Sequence, residues 1–304
     1  MRALARVVLT VLAVTTALAH PGLHHDIEDL SEKLATDPSN IGLYLERANR
    51  LRLDGRPGAA LDDLRRAASL DAADPRIAAE RGLALCDLGL DDEAEKELTR
   101  FLAFGRASTA AYSARARLRA RGGRHVEALE DLNAAIALGP DPDLYLERNA
   151  EFLALGRFEN ASRGLRDGLA RLSGATSLRG ALIDVEIAAR NWTAAVALAG
   201  EEIARAAVKT HAFLRRAEIL RSAGREREAQ ADLAQALAEA DRNVARRPTG
   251  LALHARAQVL LALGRFEDAR RDLTSALNQS PRFSEARDLL SSLPKRDTPQ
   301  ENHR

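Results

Sequence analysis

The sequence of 304 residues predicts an all-α protein built from a stack of two-helix repeats. Six glycines recur at near-constant spacing, and each follows an apolar run of helical periodicity. Alanine stands five residues after each of these glycines, and leucine stands four residues after the alanine. The glycines are Gly55, Gly89, Gly123, Gly156, Gly224 and Gly264. Because one such unit cannot bury its apolar face alone, the pattern predicts an α-solenoid.

The spacing of the glycines sets the number of repeats. From Gly55 to Gly156 they recur with a period of about 34 residues, and only the last step, from Gly224 to Gly264, is clearly longer. The interval between Gly156 and Gly224 is twice the period and leaves room for one more unit, with its turn at Arg190-Asn191. Since asparagine tolerates the left-handed backbone conformation better than most residues, we expect Asn191 to replace glycine there. The sequence therefore predicts about seven repeats over residues 41–282.

Small residues recur inside each repeat, whose first and second helices are called helix A and helix B. Position eight, counted from the first residue of helix A, is occupied by Ala48, Gly82, Ala116, Asn149, Ile183, Ala217 and Ala257. Position twenty-seven is occupied by Ala67, Phe101, Ala135, Gly168, Glu202, Ala236 and Ala276. Together with Pro140 and Pro281 at the ends of two units, this pattern resembles the tetratricopeptide repeat family. The resemblance covers roughly residues 41–281 and implies a right-handed superhelical array that binds a protein or peptide in a concave groove of helix A faces.

The ends of the chain differ from the repeats. Residues 1–19 combine Arg2 and Arg6, an apolar run and an Ala17-Leu18-Ala19 cleavage site, which is typical of a secretory signal peptide rather than an ordinary N-terminal helix. Residues 20–40 predict a histidine-containing arm and a capping helix. Residues 283–293 predict a C-terminal capping helix, and residues 294–304 a disordered tail. No other apolar run is long enough to cross a membrane, so we expect an exported protein, periplasmic or secreted, without membrane insertion after signal cleavage.

Three histidines stand at the start of the predicted mature chain. His20 would offer its free amine and imidazole to a metal ion, and His24 or His25 would add a ligand from the first turn of the next helix. Imidazole suits Cu, Zn and Ni. The alternative is a polar arm without metal, because the spacing matches no dedicated site. No other cofactor is expected.

Composition and missing motifs exclude several functions. The 45 basic and 44 acidic residues balance, which indicates neither nucleic-acid nor anionic-membrane binding. The sequence lacks a phosphate-binding glycine loop, a nucleophile elbow, an H-E-x-x-H motif and a C-x-x-C motif, so no enzyme is predicted. Cys86 is the single cysteine, and its apolar neighbours predict a buried small side chain.

The resemblance places the partner-binding groove on helix A at positions two, five, nine and twelve. Candidate groove residues are Asn49, Arg52, Arg76 and Arg117. Co-chaperone members of the family hold a C-terminal carboxylate with lysine and asparagine; Asn49 matches this clamp, but Leu45 stands in place of the lysine. Arg76 and Arg117 would instead pair with acidic groups of a partner, or they are ordinary solvated arginines.

The function predicted from the sequence is non-catalytic protein–protein interaction, as a scaffold or adaptor of the cell envelope or secreted space. The alternative is a metal-handling exported protein that uses His20, His24 and His25. A cytosolic co-chaperone would require that residues 1–19 are not a signal peptide. The sequence does not name the partner.

Overall fold

The computed structural model describes residues 21–294, which form sixteen α-helices and no strand. The predicted signal peptide, His20 and residues 295–304 lie outside the described part. The helices are α1 (Pro21–Thr36), α2 (Ile41–Leu53), α3 (Pro57–Leu70), α4 (Pro75–Asp87), α5 (Asp91–Ala103), α6 (Thr109–Arg121), α7 (His125–Leu138), α8 (Pro142–Ala154), α9 (Phe158–Arg171), α10 (Thr176–Ala188), α11 (Trp192–Arg205), α12 (Thr210–Ser222), α13 (Glu226–Arg246), α14 (Gly250–Ala262), α15 (Phe266–Gln279) and α16 (Ser284–Ser291). The predicted all-α class is confirmed for these residues.

Helices α2 to α15 alternate as helix A and helix B in the predicted phase, α1 precedes them and α16 follows them. The described residues divide into two compact units. The first unit reaches Arg157 and includes residues 170–172, while the second comprises residues 158–169 and continues from Ser173. No described helix combines the length and the apolar character needed to cross a membrane.

The small and large residues of the repeat form the core of each unit. The alanine at position twenty is fully or almost fully buried in every repeat: Ala60, Ala94, Ala128, Ala161, Ala195, Ala229 and Ala269. The leucine at position twenty-four is buried wherever it occurs: Leu64, Leu98, Leu132, Leu165, Leu233 and Leu273. Burial of each leucine contributes roughly 1.5–3 kcal/mol. Alanine beside it lets the two helix backbones approach closely, and a larger side chain would overpack the contact.

In the fifth repeat a large residue occupies a position that is usually small, and a small residue occupies a position that is usually large. Ile183 occupies position eight, where most repeats have a small residue, and Ala199 occupies position twenty-four in place of leucine. Both are fully buried in one hydrophobic cluster with Ala195. The two departures from the sequence pattern therefore compensate each other in volume, which is the kind of core change that proteins tolerate best.

Each turn from helix A to helix B uses one left-handed residue. The six turn glycines have φ between 67° and 74°, and the turn at Gly55 is closed by bonds from the Gly55 amide to the Arg52 carbonyl and from the Arg56 amide to the Leu51 carbonyl. This pairing is a Schellman motif, which satisfies the last carbonyls of the helix.

In the fifth repeat the left-handed residue is Arg190, with φ 58°. The prediction that Asn191 takes this conformation is wrong, because Asn191 has φ −82° and begins the next helix. The Asn191 side chain donates a hydrogen bond to Glu186 Oε2 at 2.8 Å. Arg190 lies midway between Gly156 and Gly224 in the sequence, so the spacing of the turn residues indicates Arg190, and not Asn191, as the left-handed residue.

We expect Arg190→Gly to stabilise the protein. The left-handed conformation costs a non-glycine residue about 1–2 kcal/mol, and glycine relieves this strain. The greater conformational freedom of glycine in the unfolded chain offsets about 0.4–1 kcal/mol of the gain in stability. Urea unfolding followed by far-UV circular dichroism should show a higher midpoint for the variant. Gly89→Ala is the matched control: an added Cβ there meets no atom within 4 Å, but φ is 72°, so strain alone should lower the midpoint. An unchanged or lower midpoint for Arg190→Gly would contradict the proposed strain.

Candidate functional site

Two of the predicted groove residues line one cavity in the first unit. Asn49 on α2 and Arg76 on α4 face a cavity of about 430 Å³ between these two A helices. Leu45, which stands where the family clamp has lysine, is buried and also lines this cavity. The Asn49 amide donates a long hydrogen bond of 3.5 Å to Glu80 Oε2. Burial raises the pKa of Glu80, and the hydrogen bond from Asn49 opposes that shift.

All three predicted groove arginines already contact carboxylates of the chain. Arg76 binds the N-cap carboxylate of Asp74 with an Nη2–Oδ2 distance of 2.6 Å. Arg52 Nη1 lies 3.2 Å from Asp87 Oδ2, and Arg117 donates to Glu147 Oε1 at 2.6 Å. Neither Arg52 nor Arg117 lines the cavity that contains Asn49. A partner carboxylate would therefore have to share each arginine with the carboxylate that it already contacts, or displace that carboxylate, and the role of these residues in binding stays a prediction.

A second cavity, of about 410 Å³, lies in the second unit between the A helices α10 and α12 and the C-terminal end of the B helix α11. Its lining consists of Thr176, Arg179, Glu202, Arg205, Ala206, Val208, His211, Ala212 and Arg215. The sequence analysis did not single out these residues. Of these residues only His211 occupies a position at which the family resemblance places the groove.

The most regular charged feature of the structure is an ion pair between helix A and helix B of one repeat, which the sequence analysis missed. Arginine at position seven contacts a carboxylate at position twenty-three of the same repeat in five repeats: Arg47–Asp63, Arg81–Glu97, Arg115–Asp131, Arg216–Asp232 and Arg256–Asp272. The four aspartate pairs have N–O distances of 2.7 Å. The constant spacing of the two residues was visible in the sequence. Because each pair joins the two helices of its own repeat, it stabilises the scaffold.

A buried carboxylate distinguishes the fifth repeat. Glu186 is 3% exposed and occupies position eleven of helix A. Its Oε1 accepts hydrogen bonds from Ser162 Oγ at 2.6 Å and Arg166 Nη2 at 2.7 Å, and its Oε2 accepts one from Asn191. Four other repeats have a buried leucine at this position: Leu51, Leu85, Leu220 and Leu260. A cavity of about 590 Å³ opens beside Glu186, but the carboxylate oxygens are already satisfied within the protein.

The predicted metal ligands do not converge within the described residues. His24 Nε2 lies 3.8 Å from Asp54, and His25 Nδ1 lies 3.7 Å from Asp29 on its own helix. Residues 21–294 contain no group of three or more histidine, cysteine or acidic side chains placed to hold a metal ion. Since His20 lies outside this range, binding of Cu, Zn or Ni by His20, His24 and His25 stays a prediction. Cys86 is half-buried among apolar side chains, and burial raises the pKa of its thiol.

The surroundings of His254 predict that the stability of the second unit depends on pH. Its ring lies 5.0 Å from the ring of Phe283, centroid to centroid. Burial lowers the pKa of His254 from its ordinary 6.5, His211 lowers it further, and Glu285 opposes both. Because the unfolded chain then binds this proton more readily, stability should fall as the pH drops below about 6.5 towards the lower pKa of the folded state.

We therefore expect His254→Gln to lose less stability than the parent protein between about pH 7.5 and about pH 5.5. Urea midpoints at the two pH values measure the difference. His25→Gln is the control, because His25 is exposed on α1 in the other unit. Equal acid sensitivity in the parent and His254→Gln would show that His254 does not contribute.

Comparisons with known proteins show the fold. A scan of protein-family models and a search of curated proteins find no match to the sequence. Among solved structures, the C-terminal part of a TPR repeat-containing protein from Cytophaga hutchinsonii matches with a TM-score of 0.58 and 14% identity, covering 81% of this chain and 99% of that one. PilW, described as a widely conserved type IV pilus biogenesis factor, matches with a TM-score of 0.52 and 20% identity over 60% of this chain and 85% of that one.

A third similar structure is the Naa15/Naa10 complex bound to HypK-THB. It matches with a TM-score of 0.50 and 15% identity, covering 83% of this chain and 38% of that one. The identities are too low to transfer activity or partners. Together with the helix pairs described above, the matches define the class of protein: this chain is an α-solenoid of tetratricopeptide-like helical repeats.

Proposed function

We propose that the protein is a non-catalytic binding protein that holds a protein or peptide partner against its helix A faces. The observation that carries the proposal is an open cavity at two successive A helices in each unit, between α2 and α4 in the first and between α10, α12 and the C-terminal end of α11 in the second. Each cavity combines apolar wall residues with charged side chains, the combination that binds a peptide segment by contact and by ion pairing.

The helices that carry these cavities are held together by the core, and a rigid surface favours binding. Core alanines and leucines join helix A to helix B, and the arginine–carboxylate pairs join the same two helices in five repeats, among them both repeats of the first cavity but not the repeat of α10 and α11. A surface held in place before the partner arrives loses little conformational entropy on binding. This argument supports a scaffold or adaptor role.

The names of two of the similar structures relate them to assemblies of several proteins, one as a factor in pilus biogenesis and one as a complex. PilW is a pilus biogenesis factor, and the Naa15/Naa10 structure includes bound HypK-THB. This support is an analogy between folds, and one fold can occur in proteins with many different functions. It agrees with a partner-binding role and says nothing of which partner this chain binds.

We also propose that the protein acts outside the cytoplasm, in the periplasm or as a secreted protein. The support is the basic, apolar and small-residue order of residues 1–19. N-terminal sequencing of protein exported from its native host should find a chain that begins at His20, and a chain that retains Met1 would contradict export. Metal analysis of the same untagged sample tests the alternative function. About one bound Cu, Zn or Ni per chain, lost in His24→Ala, would favour metal handling.

Site-specific photo-crosslinking tests the binding role. A photoreactive amino acid is placed at Arg76 or His211 on the A helices, and at Lys96 or Arg227 on the B helices as controls; all four positions are exposed. We expect crosslinks to another protein in the native host from the helix A positions and few from the helix B positions. Equal crosslinking from both sets, or none from helix A, would count against binding through the helix A faces.

A further inference from the structure

Arg179 is a cation without a partner in the cavity of the second unit. It is half-buried and lines the cavity between α10 and α12. Among residues 21–294 its side chain makes no hydrogen bond and no ion pair. An unpaired guanidinium in a partly buried place loses hydration without a compensating contact. The cavity therefore contains a positive charge that has no counterion among the described residues.

The other charged side chains of this cavity are already paired. Arg205 Nη1 contacts Glu201 Oε2 at 2.9 Å. Arg215 contacts Asp184 Oδ1 at 2.7 Å and Glu202 Oε1 at 3.3 Å. With these pairs formed, no carboxylate of the cavity is left to neutralise Arg179. The charge of the lining that has no counterion is therefore positive.

An exposed apolar side chain lies at the same cavity. Val208, in the connection between α11 and α12, is 57% exposed and lines the cavity together with Ala206 and Ala212. An apolar side chain beside a charge that lacks a counterion is typical of a contact surface, where a partner buries the first and neutralises the second.

The corresponding cavity of the first unit lacks this property. Its two arginines are paired, Arg50 with Asp26 and Arg76 with Asp74. Its lining also contains Glu46 and Glu80. Both cavities touch two successive A helices, but of the two only the one between α10 and α12 combines an arginine that is unpaired among residues 21–294 with an exposed valine.

We infer that the cavity between α10 and α12 docks an acidic segment of a partner protein. A carboxylate of that segment pairs with Arg179, and an adjacent apolar side chain packs on Val208. The inference rests on the proposed binding function and gives it a partner chemistry. Charge complementarity selects this occupant over a basic or a neutral segment.

A library of random displayed dodecapeptides tests the inference with the full chain and its native termini. Peptides selected by the parent protein should be enriched in aspartate or glutamate next to an apolar residue. Arg179→Glu should bind the selected peptides at least about tenfold more weakly, the loss expected for one hydrogen bond to a charged group. Val208→Ser should also weaken binding, and added salt should weaken it in the parent protein.

Arg227→Glu is the matched control. It makes the same charge change at an exposed arginine of the B helix α13, and its affinity should stay within about twofold of the parent value, since a distant surface charge acts weakly through solvent. Circular dichroism should be unchanged in Arg179→Glu and the urea midpoint nearly so, because no hydrogen bond or ion pair of the Arg179 side chain within residues 21–294 is lost.

The outcomes separate this inference from the proposed function. Selected peptides without an acidic preference, or equal binding by Arg179→Glu and the parent protein, would overturn the inference while helix A binding still stands. Failure to select any peptide, together with an absence of crosslinks from helix A positions, would overturn both.

Discussion

Replacement of Arg47 by methionine is expected to lower the free energy of unfolding of the first unit by about 3–5 kcal/mol. Arg47 on α2 makes two hydrogen bonds of 2.7 Å to the carboxylate of Asp63 on α3. A third, of 2.9 Å, reaches Ser31 Oγ on α1. The side chains of Arg47 and Asp63 are only 17% and 5% exposed. Without the guanidinium, Asp63 keeps a buried charge that has lost its main partner, and this accounts for the large effect.

Urea unfolding followed by circular dichroism, with hydrogen exchange at the amides of α2 and α3, measures the loss. Hydrogen exchange is needed because the units of a repeat array can unfold separately. The double variant Arg47→Met/Asp63→Leu should recover most of the lost stability, since apolar residues that replace a whole buried pair are often neutral or better.

Arg65→Met is the matched control on the same helix. Arg65 pairs with Asp62, the direct neighbour of Asp63, but both side chains are largely exposed. This change should alter stability by no more than about 1 kcal/mol. A similar, small effect of Arg47→Met would mean that Asp63 finds water or another donor, and that the buried pair contributes little.

Gly82→Ala is expected to destabilise the first unit, although alanine is the commonest residue at this position of the repeat. A Cβ added to Gly82 on α4 would lie 2.6 Å from Leu98 Cγ and 3.2 Å from the Leu98 backbone nitrogen on α5. The two helices have to separate or Leu98 has to change rotamer. Overpacking of this kind costs about 1–3 kcal/mol, and the better helix propensity of alanine returns up to about 1 kcal/mol. We expect a net loss of about 1–2 kcal/mol.

Gly180→Ala separates the two contributions. Gly180 lies inside α10, and the nearest atom to an added Cβ is Arg215 Nη1 at 4.0 Å. Only the propensity gain applies there, so this variant should be more stable by up to about 1 kcal/mol. If urea midpoints rise in both variants, the close approach of α4 and α5 relaxes without cost and the expectation for Gly82 is wrong.

Much of the fold could be predicted because it depends on short-range periodicity. The turn glycines, the alanines five residues later and the leucines beyond them are found in the structure where the pattern places them. Arg190 shows the limit: the period indicated this residue, but the general preference of asparagine for left-handed backbone pointed to Asn191. The side chain of Asn191 instead bonds Glu186.

The sequence could predict which helix faces form the candidate site, but not the contacts that its side chains make. Sequence position identified Arg52, Arg76 and Arg117 as groove cations, but it could not show whether each was free. Arg52 meets Asp87 and Arg117 meets Glu147, in each case a residue of the following repeat. Contacts of this length form only when one repeat stacks on the next.

By itself, the sequence determined the helical repeat, its period, its turns and the face on which each small residue lies, because these follow from spacing along one helix pair. The tertiary structure alone decided which charges are neutralised and which are left, with Arg179 unpaired among the described residues while the predicted arginines are paired. It also decided how closely α4 and α5 approach at Gly82. The physical reason is that the close approach at Gly82 and ion pairs between repeats, such as Arg52–Asp87, depend on distances between atoms of different helices, which spacing along the chain does not fix.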